Sequence, residues 1–227
     1  MPEPRDHGPL PPLLVLLTVM TGLVDSVSYL ELGNVFVANM TGNIIFLGLG
    51  LATKGQTGEI QPTTLSTLCF CAGAAVGGHL AFNKITHRGR LLGAATAVQT
   101  FAILVAALLV SALGHTDKPG RLVTIAILAS SMGWQYAIIR RLEVPDFRTV
   151  VVTTTITALV ADRDEPKERI VRRTLSVATL LLGAAIGAVL IREVAVAAPL
   201  WCAATILAVV SAASYITASH DDSNHWG

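Results

Sequence analysis

Several side chains that could bind an ion or a proton lie inside strongly apolar runs of this 227-residue sequence. Asp25 lies in the apolar run Leu13–Leu30. The run that follows, residues 35–52, holds Asn39, Thr41, Gly42 and Asn43. Carboxyl and amide groups are costly in lipid unless they face partners, water or a ligand. We therefore interpret Asp25 as a candidate proton- or ion-linked group, and the oxygens of the second stretch as candidate ligands for a solute or cation.

Each of these residues also has a structural interpretation. A buried acid can lock helices together through hydrogen bonds, with no role in chemistry. Asn and Thr side chains can satisfy the free backbone groups where a helix breaks. The sequence leaves both interpretations open for Asp25 and for the stretch 39–43.

Further candidates lie in the second half of the chain and in the third apolar run. Gln135 lies nearly in register with Asp25 when the two halves are aligned, and Thr154 and Thr157 fall in a Thr-rich stretch that could line the same cavity. Threonine also bonds harmlessly to the carbonyl four residues earlier. His79 follows two glycines near the end of its run and is a candidate gate or proton relay, or a residue that simply reaches the interface.

Composition indicates an all-α, polytopic membrane protein. The chain is 52% hydrophobic and 14% charged, against about 25% charged in a soluble domain. The net charge of +1 gives no reason to expect nucleic-acid binding, so the expected partner is the lipid bilayer, with a homo-oligomer as a further possibility. The sequence has no phosphate-binding loop, H-E-x-x-H or G-x-S-x-G pattern. We predict no enzyme activity, no metal site and no cofactor.

Weak internal echoes indicate a duplication within a single transmembrane domain, with residues 1–10 and 218–227 as flexible tails. Gly73–Gly78 is echoed by Gly183–Ala188, and Gly133–Gln135 falls opposite Gly22–Asp25. The predicted repeats cover about residues 11–113 and 121–217, and each contains four apolar segments. The sixth segment, 149–161, is only about 20 Å long as a helix, whereas the bilayer core is about 30 Å thick.

The placement of Lys and Arg then decides between eight crossings and six. With eight crossings the two sides carry nine and seven basic residues, which is no bias. If the segments at about 35–52 and 149–161 are broken or re-entrant, the sides carry twelve and four, a clear positive-inside pattern. We therefore predict six crossing helices in a 3+3 inverted repeat, with both termini in the cytoplasm of a bacterium and the helices in its inner (plasma) membrane. In such proteins broken helices aim their ends at the substrate.

Two runs carry a resemblance to a known family. The run 22–33, followed by Phe36-Val-Ala-Asn-Met-Thr-Gly-Asn43, resembles the signature of the YoaK family, small bacterial integral membrane proteins of unknown function. Met132–Gln135 and Thr153–Thr157 resemble the family's elements in the second half. Ala158 and Tyr136 depart from that pattern, which implies a looser second copy of the site. The resemblance implies a fold but no activity.

Three functional hypotheses remain. The first is a secondary transporter for a small solute or ion, with a central site between the repeats and coupling to protons through Asp25. The second is a membrane scaffold, sensor or partner subunit that transports nothing. The third is an intramembrane enzyme acting on lipid, with Asp25 and His79 at its site.

Overall fold

The computed structural model describes residues 10–53, 60–80, 87–114, 117–142, 156–157 and 167–220. In chain order the helices are α1 (Leu10–Glu31), α2 (Met40–Ala52), α3 (Ile60–Ala75), α4 (Arg88–Leu113), α5 (Lys118–Leu142), α6 (Lys167–Glu193) and α7 (Ala198–His220). A π-helical turn, Val76–Leu80, continues α3. These residues contain no strand, so the all-helical prediction is confirmed for the part of the chain that the structure describes.

Five of the helices are long and apolar enough to cross a membrane: α1, α4, α5, α6 and α7. Their burial is that of a membrane protein, because large apolar side chains face outward while polar ones lie inside. On α6, for example, Leu181 is 69% exposed and Val189 is 58% exposed, whereas Gln99 on α4 and Gln135 on α5 are almost completely buried. An outward apolar face of this kind suits contact with lipid tails.

The two segments predicted to be broken differ in how much of them can be described. The first forms α2, whose 13 residues span only about 20 Å, preceded by non-helical residues 34–39. The second, 149–161, lies outside the described residues except for Ile156 and Thr157, which are helical and exposed.

Helices α1 and α6 pack through glycines that bring their backbones together. A β-carbon on Gly183 of α6 would overlap the carbonyl oxygen of Val19 on α1. One turn further along α6, a β-carbon on Gly187 would lie 3.3 Å from the Cα of Leu23 and would overlap the Oγ of Ser26. Because later residues of α6 contact later residues of α1, the two helices run parallel. Small residues allow this close approach in membranes.

Helices α3 and α5 form a second pair of the same kind. A β-carbon on Gly73 would overlap the carbonyl oxygen of Ser130, and one on Gly77 would lie 3.3 Å from the Cα of Trp134 and 3.1 Å from the Cβ of Ala137. These two helices therefore also run parallel. Each contact has its counterpart in the first pair, at a nearly constant distance along the chain: Gly73 matches Gly183, Gly77 matches Gly187, Val19 matches Ser130 and Leu23 matches Trp134.

The remaining neighbours run antiparallel. Four residues connect α4 to α5, and four connect α6 to α7, which are lengths that join antiparallel neighbours. Between α4 and α7, Ser211 Oγ donates to the Gly93 carbonyl at 2.9 Å and Trp201 Nε1 donates to Ser111 Oγ at 3.2 Å. These contacts run in opposite senses along the two helices. Helices α1, α4 and α6 therefore point one way, and α3, α5 and α7 point the other way.

The end of α1 and the starts of α3 and α5 meet at one end of the bundle. A β-carbon at Gly33 would lie 3.5 Å from Nη1 of Arg121, in the first turn of α5, and 3.8 Å from Cγ of Pro62, in the first turn of α3. The chain therefore leaves α1 and enters α3 at the same end of the bundle, and α2 lies within this excursion.

The glycine contacts predict which small substitutions the bundle will not accept. Gly183→Ala and its counterpart Gly73→Ala should each destabilise the protein by about 1–3 kcal/mol, because the added methyl group overlaps backbone atoms of a partner helix. Gly48→Ala is the matched control, since nothing lies within 4 Å of its β-carbon position. Thermal melting in detergent micelles measures the three variants. A Gly183→Ala melting temperature equal to that of Gly48→Ala would contradict the close α1–α6 pairing.

Candidate functional site

The candidate site is built around a break between α1 and α2. Helix α1 ends in a Schellman motif: Gly33 adopts a φ of +104°, and the N–H of Asn34 donates to the carbonyl of Tyr29 at 3.2 Å. The backbone then runs without helix to Asn39, and within it Val35 and Val37 are completely buried. Backbone N–H groups of a buried, non-helical segment need partners from elsewhere in the fold.

Asp25 supplies two of those partners. Its Oδ1 accepts hydrogen bonds from the backbone N–H of Val37, at 3.0 Å, and of Ala38, at 2.9 Å. The carboxyl group thus lies immediately before the start of α2, where free N–H groups and the helix dipole favour an acidic oxygen. Asp25 is half-buried, and among the described residues its second oxygen, Oδ2, has no bonded partner.

Asn43 and Ser66 bind the backbone of Phe36, the residue before Val37 in the break. Asn43 Oδ1 accepts from the N–H of Phe36 at 2.9 Å, and its Nδ2 donates to the Phe36 carbonyl at 2.6 Å. The same carbonyl accepts from Ser66 Oγ of α3 at 2.6 Å. Asn43 is completely buried. Its amide therefore behaves as a local substitute for strand pairing and ties α2 and α3 to the break.

Gly42 serves the packing of an aromatic ring. A β-carbon there would lie 2.8 Å from Cδ2 of Phe36. The ring of Phe36 in turn stacks on Tyr29, with centroids 4.9 Å apart, and on Phe46, at 6.0 Å. Glycine at this position lets the ring of Phe36 lie against the first turn of α2.

Asn39 and Thr41 are placed differently from their neighbours. Asn39 is the N-cap residue of α2 but makes no side-chain capping bond, and both side chains are exposed. Asp25 bonds instead to the N–H groups of Val37 and Ala38, the two residues before this N-cap, so no side-chain cap of α2 is formed by either residue. The side chains of Asn39 and Thr41 are the polar groups of the stretch that remain available to another molecule.

A second polar cluster, the amide chain, lies in the centre of the bundle and joins α4, α5 and α1. Gln99 Nε2 donates to Gln135 Oε1 at 2.6 Å, Gln135 Nε2 donates to Thr21 Oγ1 at 3.4 Å, and Thr21 donates to the carbonyl of Leu17 at 2.8 Å. Gln99 and Gln135 are 1% and 3% exposed. Thr21 lies one turn before Asp25 on α1, so the amide chain and the break adjoin the same stripe of that helix.

Gln99 was not among the residues that sequence reasoning selected. The signal was available, because Gln99 is an amide within the apolar run 91–113, just as Gln135 is within its own run. Gln99 was not selected because the alignment of the two halves places an apolar residue, not a polar one, at the corresponding position of the second half.

The structure does not bring all the predicted residues together. His79 lies exposed in the π-helical turn at the far end of α3, at the opposite end of the bundle from the α1–α3 turn near Asp25. Thr154 lies outside the described residues, and Thr157 is exposed. Within the described residues no three His, Cys, Asp or Glu side chains lie close enough to hold a metal ion.

Fold and site together define a multi-pass helical membrane protein in which an acidic side chain in one helix pins the break before the next. Residues 13–213 match the family described as "Protein of unknown function (DUF1275)". The chain therefore belongs to the DUF1275 family.

A named relative supports the same assignment. The chain is 32% identical over 155 residues to the "UPF0700 transmembrane protein YoaK" of Bacillus subtilis (strain 168). That alignment covers 66% of this chain and 65% of the relative, so the chain spans slightly less than two thirds of the relative's length. The resemblance to the YoaK family is confirmed. No solved structure matches the chain.

Two substitutions at Asp25 separate its structural role from any chemical one. Asp25→Asn keeps a neutral Oδ1 acceptor for Val37 and Ala38 and should lose clearly less stability than Asp25→Ala. Asp25→Ala leaves both N–H groups without a partner and should lose about 2–4 kcal/mol of stability. Thermal melting in micelles measures both. If Asp25→Ala were as stable as Asp25→Asn, the carboxyl group would not be what holds the break.

Proposed function

We propose that this protein is a small secondary transporter built as a 3+3 inverted repeat. The parallel pairs α1–α6 and α3–α5 support the repeat, because their contacts match glycine for glycine along the chain while α1 and α5 point in opposite directions. Two copies of one three-helix unit, inserted in opposite senses, account for both facts. Inverted repeats with broken helices are a recurrent plan of transporters, and this matched pairing is the observation on which the proposal rests.

The sixth crossing would be α3 with its π-helical extension. Its 16 α-helical and five π-helical residues form a continuous stretch of about 30 Å, the thickness of a bilayer core. Helix α2 would then be re-entrant, because the chain leaves α1 and enters α3 at the same end of the bundle. The equivalent element of the second repeat would be the segment 149–161.

Charge supports one orientation in the bacterial inner membrane. Helix directions put the start of α4, the end of α5 and the start of α6 at one end of the bundle. That end carries eight of the described Lys and Arg residues, and the opposite end carries Lys118, Arg121 and Arg192. By the positive-inside rule the first end would be cytoplasmic, together with both termini.

Asp25 would couple solute movement to protons. Protonation of the carboxyl group would weaken its hold on the N–H groups of Val37 and Ala38, since a carboxylate is the stronger acceptor. The break, with Asn39 and Thr41 exposed on it, would then shift with the protonation state, and the amide chain, containing Gln135, would be the polar wall behind it.

One observation favours the alternative, a scaffold or partner subunit that transports nothing. The cavity beside the amide chain has a volume of only about 10 Å³, which is room for a single water molecule. A transporter would have to open this region by moving its repeats relative to each other, whereas a scaffold would keep it closed.

The proposed topology predicts which loops modifying reagents reach. With Cys69, Cys71 and Cys202 replaced by serine, Gly55→Cys should react with a membrane-impermeant maleimide in intact cells, and Arg163→Cys only after the cells are opened. The reagent reports the side directly. A protected Gly55→Cys that reacts only in opened cells would instead support eight crossings.

The proposed coupling predicts proton movement that depends on a solute. Proteoliposomes containing pyranine are challenged one at a time with amino acids, sugars, polyols, organic acids and amines. At least one solute should change the internal pH with wild-type protein, and none should with Asp25→Asn or with empty liposomes. If wild type and Asp25→Asn respond equally, Asp25 has no coupling role. If no solute acts on wild type, the scaffold alternative is favoured.

A further inference from the structure

Helices α3, α4 and α5 enclose a cleft that the functional site described above does not include. Its volume is about 500 Å³, within the range of small-molecule sites. Val98 and Val76 line it and are 50% and 44% exposed, so the cleft opens on the outer surface of the bundle, where a bilayer would contact it. Gln99 and Trp134 line both this cleft and the small cavity beside the amide chain, and so form the partition between them.

Gln99 presents an unsatisfied acceptor at this partition. Its Oε1 is buried and has no hydrogen-bond partner, although the residue as a whole is 1% exposed. A buried amide oxygen without a donor costs free energy, more so where the surroundings are apolar. Trp134 cannot relieve it with its indole N–H, because that group donates to the Ala95 carbonyl at 3.0 Å.

The amide chain makes this oxygen a better acceptor than an isolated amide. All the hydrogen bonds of the amide chain are donated in the same direction. Gln99 donates to Gln135, Gln135 donates to Thr21, and Thr21 donates to the carbonyl of Leu17. Hydrogen bonds aligned in one direction polarise one another. In the amide chain, the acceptor that receives no hydrogen bond is the first one, Gln99 Oε1.

The other described residues around the cleft limit the chemistry of an occupant. They are alanines, glycine, valines, isoleucine, serines and tryptophan, and none is charged. A charged group would find no counter-ion there and would be expensive to bury. A neutral donor on an apolar body satisfies both the oxygen and the walls.

We propose that the cleft binds a neutral, membrane-soluble alcohol whose hydroxyl group donates to Gln99 Oε1 while its hydrocarbon part fills the space between α3, α4 and α5. The inference does not depend on transport, because it concerns binding alone. It adds to the break at Asp25 a second site with a different ligand class and an entrance from the bilayer.

Photolabelling in lipid nanodiscs tests the proposal with a matched pair of probes. One probe is octanol carrying a diazirine on its chain, and the other is its O-methyl ether, which keeps the oxygen but cannot donate. The alcohol should label peptides of α3, α4 and α5 around the cleft about tenfold more than the ether does, a ratio that corresponds to one buried hydrogen bond. Equal labelling by the two probes would overturn the proposal and indicate non-specific lipid-like occupancy.

Variants then locate the site. Gln99→Leu should reduce labelling by the alcohol to the level of the ether. Ala102→Trp fills the cleft without altering the amide chain and should abolish cleft labelling. Leu108→Trp is the control, because Leu108 is 54% exposed on α4 and does not line the cleft, and this variant should be labelled like the wild type. If Gln99→Leu does not fold, Ala102→Trp decides: undiminished alcohol labelling in that variant would overturn the proposal.

Discussion

The architecture depends on satisfying the backbone of a buried segment that is not helical. Residues 35–38 are mostly buried, and buried N–H and carbonyl groups without partners cost free energy. Asp25 satisfies two of the N–H groups, and Asn43 pairs with both backbone groups of Phe36. Two of the polar residues that look functional in the sequence, Asp25 and Asn43, are therefore first of all what allows the break to exist. Any role in coupling would use a carboxyl group already engaged in holding the chain.

Two kinds of interaction hold the rest of the bundle together. Glycine-to-backbone contacts fix the parallel pairs α1–α6 and α3–α5, and these tolerate almost no change in side-chain size. Side-chain hydrogen bonds fix the contacts of α4 with α7 and with α5, as in the bonds of Ser211 and Trp134. The outer faces carry mostly apolar side chains, such as Leu181, Val189 and Val209, as expected of surfaces that contact lipid.

The sequence predicted the broad plan because its strongest signals are those that a bilayer imposes. Long apolar runs gave the helices, and the interrupted run 35–52 gave a short helix preceded by a non-helical stretch. Helix ends were predicted less well. The apolar run of α6 begins only at Leu175, but the helix begins about two turns earlier, at Lys167, where charged residues that favour helix hide its start. The partner of Asp25 could not be predicted, because nothing in the residue types says that its carboxyl group would bond to backbone twelve residues later. The importance of Gln99 depends on α4 meeting α5, which only the three-dimensional arrangement reveals.

The parallel pairing of α1 with α6 has a consequence for biosynthesis. Val19 and Gly183, which touch, are made about 160 residues apart, which is roughly 10–30 s of translation. The pair α3–α5 lies closer together in the chain, and α5 is made before α6 begins. The face of α1 that contacts α6 must therefore wait in the membrane, with lipid or a chaperone against it, until α6 is inserted. Substitutions on that face would be expected to reduce the yield of assembled protein even where the finished bundle could accommodate them.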